Sequence, residues 1–476
     1  MSRPASPELA LRKESESPRS PAEGAPDMVD RGRLVERYRR NRERSRLLFD
    51  LLTDEDAHYS QPIPLRHPFV FYEGHVPAFS FNTLVKNALG GGSIDPALEG
   101  LFARGIDPPT DGAVVPGGFK ELAARNRELW PGRDVVRRFA QAADERVIEA
   151  LTHGDVDRPG HPLLDRAEAV FVILEHEVMH QETLLYMLHR VPHEWKRSPA
   201  GYRPVLGGAA PRTSWIDIAA GRATLGIDRD AAAYAWDNEC PRRTEEVPAF
   251  AIESGNVTNA AFMEFVEAGG YREPRFWRPA DWDGVVRERL RHPPFWEHRE
   301  GGFAWRGQFE TIPLPPAWPV YVSQAEAEAY ARWRGVRLPT EAEFQRAAYG
   351  APGGSERAFP WGDEAPDGRR HGVFDFASWD PQPAGSHPAG RSAWGVDDLV
   401  GNGWEWTSTP FAPFPGFRPQ ATYPEYSADF FDGDHFVMKG ASPATARELL
   451  RPTFRNWFRG RYPFMYATFR CARDRA

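Results

Sequence analysis

Glu175-His176-Glu177-Val178-Met179-His180-Gln181-Glu182 carries two histidines four residues apart. Apolar runs flank it, Val170-Phe171-Val172-Ile173-Leu174 before and Leu184-Leu185-Tyr186-Met187-Leu188 after. Neither Pro nor Gly interrupts them, so the stretch reads as helix from about Leu163 to His189. Positions i and i+4 share a helix face, so both imidazoles can address one point. Neutral imidazole is the commonest side-chain ligand for a divalent transition metal. A lone pair of this kind is more often two capped or polar-face histidines, so a metal site needs ligands from elsewhere.

Upstream, residues 1–30 are rich in Pro, Ser and Glu and read as a disordered leader, without the Arg-rich, acid-poor character of a transit peptide. Leu34, Val35, Tyr38, Leu47, Leu48 and Leu51 then recur among Arg and Glu, an amphipathic helix from Arg31 to about Asp54. The aromatic stretch Leu65–Phe79 predicts a second helix starting near Pro68. A Gly- and Pro-rich loop is expected over 90–118, and a third helix over 119–153. With the HxxxH helix these make a four-helix bundle, whose interior is a natural place for a metal.

Past about Pro199 the composition changes, and Ser198–Gly208 reads as a linker. Strand-like pieces are expected at 213–218, 223–226 and 249–252, and helices opened by Val257-Thr258-Asn259 and running through Val266, and over 324–333. Thr340 and Glu343 form a capping box for another. The remainder reads as loop-rich, an irregular α+β domain held by aromatic packing and without repeats.

The whole chain of 476 residues has a formal charge of −8 with dispersed Lys and Arg, which argues against a nucleic-acid partner. Two distant cysteines imply no disulfide framework and favour a cytoplasmic setting. No apolar run is long enough to span a bilayer, so no membrane partner is expected.

Six motifs follow in order in the second half. They are Trp236-Asp237-Asn238-Glu239, Val257-Thr258-Asn259, Arg337-Leu338-Pro339-Thr340-Glu341-Ala342-Glu343, Pro360-Trp361-Gly362-Asp363, Gly401-Asn402-Gly403-Trp404-Glu405-Trp406-Thr407 and Phe469-Arg470-Cys471-Ala472-Arg473. Together they resemble the formylglycine-generating-enzyme-like (sulfatase-modifying-factor) domain, a variant of the C-type-lectin fold. Their Trp and Gly residues are scaffold.

A bundle with HxxxH ahead of such a domain resembles the ergothioneine-pathway sulfoxide synthases. The resemblance implies a multidomain α and α+β protein. A DinB-like four-helix bundle over 31–200 precedes a C-type-lectin-like, formylglycine-generating-enzyme-like domain over 201–476. It implies iron(II) as cofactor, oxygen as co-substrate, and a small-molecule reaction joining a thiol to the imidazole C2 of hercynine. The metal ligands it implies are His176, His180 and, from the earlier helix, His75; His58 and His67 lie nearby. Three neutral imidazoles leave about three positions open on an octahedral ion.

In Ala421–Phe431, Tyr423 matches the family's catalytic tyrosine, a proton or hydrogen donor, and Tyr426 a tyrosine that helps hold the acceptor. In Arg451–Trp457, Asn456 matches a contact to the betaine carboxylate and Trp457 a π face for the trimethylammonium. Members that use γ-glutamylcysteine carry Asp and Arg where this chain has Phe458 and Tyr462. They also carry two arginines in a loop corresponding here to 107–112, which has no basic residue. Arg459 and Arg461 stand near enough to compensate in part, and Met179 replaces a frequent Gln. Phe458, Tyr462, Phe464 and Tyr466 suit an uncharged donor, which points to the selenoneine synthase branch and a selenosugar.

The alternatives are ergothioneine synthesis with cysteine or another thiol, and a non-catalytic metal- or ligand-binding module. Formylglycine generation needs a reactive cysteine pair, for which Cys240 and Cys471 are poorly placed.

Overall fold

The computed structural model describes residues 29–103 and 119–475. The expected leader (but for its last two residues) and the loop 107–112 lie outside the described residues. Four long helices form the first half: α1 (Arg31–Phe49), α2 (Phe69–Ser80), α3 (Arg133–His153) and α4 (Glu168–Arg190). Asp30 caps α1 by accepting from the Arg33 N–H. α2 is buried along its whole length and contains Pro77, and the chain continues from it as a π-helix, Phe81–Ala88. α4 packs on α1 and α2, and α3 packs on both as well.

Three expectations need correction here. The helix expected over 119–153 is two, Phe119–Leu129 and α3, because Pro131 cannot donate to a helical ladder and Gly132 instead starts α3 in an extended conformation. α4 begins at Glu168 rather than Leu163, because Arg166 and Ala167 adopt positive φ just before it. The loop expected over 90–118 contains a helix, Pro96–Leu101, capped by Asp95 with Pro96 in its first turn.

Past Tyr349 the second half is loop-rich, as expected, with five strands. Its centre is a four-stranded sheet ordered β3 (Asn456–Arg459), β2 (His435–Ala441), β1 (Gly403–Pro410) and β4 (Ala467–Thr468). β4 joins β1 in parallel and the other pairs are antiparallel. A second sheet places Phe250–Glu253 between Trp215–Ile218 and Ala472–Asp474, so the start and end of this half are stitched together. Capping boxes Ser323/Glu326 and Thr340/Glu343 start the helices Gln324–Arg334 and Glu341–Tyr349.

Trp236, Trp296, Trp305, Trp318, Trp404 and Trp406 are fully buried. One apolar cluster runs without a break from Leu34 in the bundle to Cys471. No helix among the described residues is long and apolar enough to cross a membrane.

Candidate metal centre and its cavity

α4 organises the site because successive residues turn by about 100°, so each neighbour meets a different stripe. Glu177 and Gln181 face α1. Arg42 Nη1 donates to Glu177 at 2.9 Å, Ser45 Oγ at 2.7 Å, and Gln181 Nε2 donates to the Asn41 carbonyl at 2.8 Å. Glu175 and Glu182, seven apart, face the second half. Glu182 accepts from Trp404 Nε1 at 2.7 Å, Ser442 Oγ at 2.6 Å and Thr445 Oγ1 at 3.1 Å. Glu175 accepts from Trp236 Nε1 at 2.8 Å and from both Arg451 terminal nitrogens at 2.9 Å. That leaves His176 and His180 for α2.

Arg451 is the clamp between the halves. Besides Glu175 it donates to Glu239, from Nε at 2.8 Å and Nη2 at 2.6 Å. Burial works against the charge, but the two carboxylates outweigh it and keep the guanidinium protonated. Arg451→Met would leave two buried carboxylates without a cation. The expected cost is about 3–5 kcal/mol, read as an earlier urea midpoint, and Arg451→Met with Glu175→Gln should recover part of it.

The imidazoles of His75, His176 and His180 converge, their ligand atoms all within 4.8 Å of one another. His180 Nε2 lies 3.2 Å from His75 Nε2 and 3.0 Å from His176 Nε2. Burial pushes the His75 pKa down to about 4. Burial, then the neighbouring imidazoles, hold His176 and His180 well below the usual histidine range, with Arg66 adding to the effect on His180. All three are therefore neutral and offer lone pairs. His75 Nδ1–H donates to the Phe102 carbonyl at 2.7 Å, which leaves its Nε2 directed inward. A Cβ at Gly74 would meet the Phe102 ring at 2.7 Å, so only glycine there lets Phe102 approach. Phe79 stacks on His176 at 3.6 Å between centroids. Three neutral imidazole nitrogens meeting at one point in a buried pocket suit a divalent transition metal. His58 and His67 stand outside this cluster.

A cavity of about 200 Å³ opens beside it, between the two halves. Of the residues singled out in sequence, His176, Met179, His180, Tyr423, Tyr426, Asn456, Trp457 and Phe458 line it. The Tyr423 ring centroid is 5.2 Å from Phe79 and 6.2 Å from His176. Tyr426 stacks on Trp236 at 3.9 Å and its hydroxyl donates to Met179 Sδ at 3.4 Å. Burial, then Asp237 and Glu239, raise the Tyr426 pKa and keep it protonated. Trp457 lies parallel to Phe411 at 4.4 Å and edge-on to Tyr426 at 5.0 Å.

Tyr462 does not line the cavity but packs behind Phe458 at 4.3 Å. Phe464 and Tyr466 are not on its wall, and the Tyr466 hydroxyl donates to the Leu185 carbonyl inside the core. Arg459 and Arg461 are not on the wall either. Sequence reading missed five wall residues: Arg66, Tyr72, Thr183, Phe430 and His435. Arg66 and Tyr72 flank or sit in the aromatic stretch already singled out, but nothing in its spacing marks them. His435 Nδ1 bonds Asp432 at 2.9 Å, an i,i+3 pair that is visible in sequence only once the strand is known.

Residues 207–475 match the sulfatase-modifying factor enzyme 1-like domain, and residues 37–184 match the DinB superfamily. The hercynine oxygenase of Mycolicibacterium thermoresistibile is 35% identical over 413 residues, spanning 83% of this chain and 84% of that protein.

The chain belongs to the hercynine oxygenase family.

This is the ergothioneine-pathway family that the motifs resemble. A second hercynine oxygenase, from Mycolicibacterium smegmatis, is 33% identical across 90% of this chain and 96% of its own length. The formylglycine-generating enzyme of Mycobacterium tuberculosis is 32% identical but reaches only 44% of this chain. Similarity to the hercynine oxygenases therefore extends through the bundle that carries the three histidines, and similarity to the formylglycine-generating enzyme does not span both halves.

Proposed function

We propose that this protein joins a selenium or sulfur donor to the imidazole C2 of hercynine, using iron(II) and oxygen. The observation that carries this reading is the position of the histidine cluster. Two of its members, His176 and His180, line the same cavity as Tyr423, Tyr426, Asn456 and Trp457. His75, His176 and His180 would hold the iron, which supplies the redox chemistry that zinc cannot. The balance is simple. The C2–H and the donor's Se–H or S–H are given up and one carbon–chalcogen bond forms. One oxygen atom stays on the chalcogen, and the other leaves as water with the displaced hydrogens.

The chain's own residues bind, orient and move a proton. Asn456 meets the betaine carboxylate, and Trp457, fixed by Phe411, offers its π face to the trimethylammonium. Tyr426, buried and protonated, walls the acceptor in. Tyr423 stands beside His176 and delivers or takes the proton.

The donor we favour is a selenosugar. Phe458 on the wall, with Tyr462 behind it, supports stacking on a ring where γ-glutamylcysteine-using relatives place charges. Cysteine or another thiol is the second reading. Formylglycine chemistry is disfavoured because burial raises the Cys240 thiol to about 11 and the Cys471 thiol well above its usual range. Neither is a ready nucleophile at neutral pH.

The test supplies hercynine, iron(II) and oxygen with a selenosugar, cysteine or γ-glutamylcysteine, and follows the coupled product by mass spectrometry. The selenosugar should give the highest kcat/KM. Best turnover with γ-glutamylcysteine would end the selenosugar reading, and no product with any donor would end the whole proposal.

A further inference from the structure

The loop 421–431 carries both tyrosines given roles above, yet much of it lies on the surface. Ala421, Pro424, Glu425, Ala428 and Asp429 are exposed. Its backbone hydrogen bonds are local, from the Tyr426 N–H to the Tyr423 carbonyl at 3.1 Å and from the Phe430 N–H to the Ser427 carbonyl at 3.0 Å. A surface loop of this kind moves unless side chains tie it to the body of the protein. Tyr426 and Ser427 are the buried pair that does so. Ser427 Oγ donates to Asp237 Oδ1 at 2.5 Å and accepts from Asn238 Nδ2 at 3.0 Å.

Asp237 is fully buried. Burial lifts its pKa to about 6, and the Ser427 hydroxyl with the backbone N–H groups of Asn238 and Gln420 pulls against that rise. The carboxylate is therefore charged at neutral pH, the stronger acceptor state. It addresses the chain on both sides of the tyrosine pair, at 420 and at 427. The anchor is itself fixed. On one side of it Trp236 donates from Nε1 to Glu175, the residue before His176, and carries the stacked ring of Tyr426. On the other, Glu239 takes the Arg451 clamp. The motif 236–239, first read as scaffold, thus joins α4 to the tyrosine loop.

We propose that Asp237 is a positioning residue: through Ser427 it holds the Tyr423–Tyr426 turn at the reach from the histidine cluster that proton transfer needs. The inference rests on the role proposed above for Tyr423. The hydrogen bond from Tyr426 to Tyr423 closes a four-residue turn, so a shift at Ser427 passes to Tyr423 instead of being absorbed between them. A misplacement of about 1 Å at a reacting group can cost about 10²-fold in rate.

The test compares the wild type with Ser427→Ala, which removes only the hydroxyl, and with Asp237→Asn, which keeps an acceptor oxygen but not the charge. Ser427→Ala is also made in the Tyr423→Phe background. The readouts are kcat for coupling hercynine to the best of the three donors above, bound iron, the melting temperature, and amide exchange over 420–431 and over α4. Ser427→Ala should lower kcat about tenfold when Tyr423 is present and less than about twofold when it is Phe, with bound iron unchanged. Asp237→Asn should show part of the same loss. Exchange over 420–431 should quicken in Ser427→Ala while that of α4 stays at the wild-type rate. An equal loss in both backgrounds overturns the proposal, because the loss would then not pass through Tyr423. So does unchanged exchange over the loop, or a lowered melting temperature with kcat intact, which marks a merely structural contact. If the wild type couples no donor, the functional reading fails on its own, while the exchange rates still decide whether Asp237 and Ser427 hold the turn.

Discussion

His180→Ala should strip the protein of its metal. His180 Nε2 sits between the other two ring nitrogens, 3.2 Å from one and 3.0 Å from the other, so it is the hinge of the cluster. Losing partners that merely orient a ligand already costs about 10–100-fold in metal affinity, so losing one of three ligands should cost at least about 100-fold. Metal analysis after dialysis should show about one iron per chain in the wild type and essentially none in the variant, with turnover lost in parallel. His58→Ala is the control. His58 is buried too, and burial lowers its pKa to about 3, but it lies outside the cluster. That variant should keep its iron. An iron-replete His180→Ala protein would show that the metal binds elsewhere.

Tyr423→Phe carries the second large effect. The substitution keeps the ring that packs 5.2 Å from Phe79 and removes only the hydroxyl. A positioned proton donor contributes roughly 10²–10⁴-fold, so coupling should fall by at least about 10²-fold. Bound iron, melting temperature and hercynine affinity should stay at wild-type values. Coupling within about threefold of wild type would reduce Tyr423 to a packing residue, since that ratio is worth less than about 1 kcal/mol of barrier.

The parts legible in the sequence are those written in local pattern. α1 and α4 show helical periodicity, and the capping box at Thr340 and Glu343 appears in the structure as such. The break before α3 was also present, in Pro131-Gly132, but the apolar period on both sides masked it. The strands of the central sheet were not legible. β1 is buried at its first five positions and β2 at all but one, so neither shows the alternation that marks a half-exposed strand.

Long-range partners left no local trace at all. Arg451 meets Glu175 from 276 positions away and Glu239 from 212. Arg66 reaches Tyr186 across 120. The motif around Asn456 and Trp457 drew attention to its neighbourhood, yet the clamp five residues earlier was invisible until α4 was in place. Tyr462 shows the opposite failure. Its match by position suggested a donor contact, and the turn after β3 folds it behind Phe458 instead.

β3 is an edge strand, bonded to β2 alone. α4, in contrast, is held by α1, by α2 and by the second half. A helix so constrained has little room to vary, because any change disturbs one of three neighbours at once. An edge strand has a margin, and Phe458 hangs on that margin. On the function proposed above, natural selection can therefore retailor what such a catalyst accepts, one rim residue at a time, while the oxidation machinery is inherited intact.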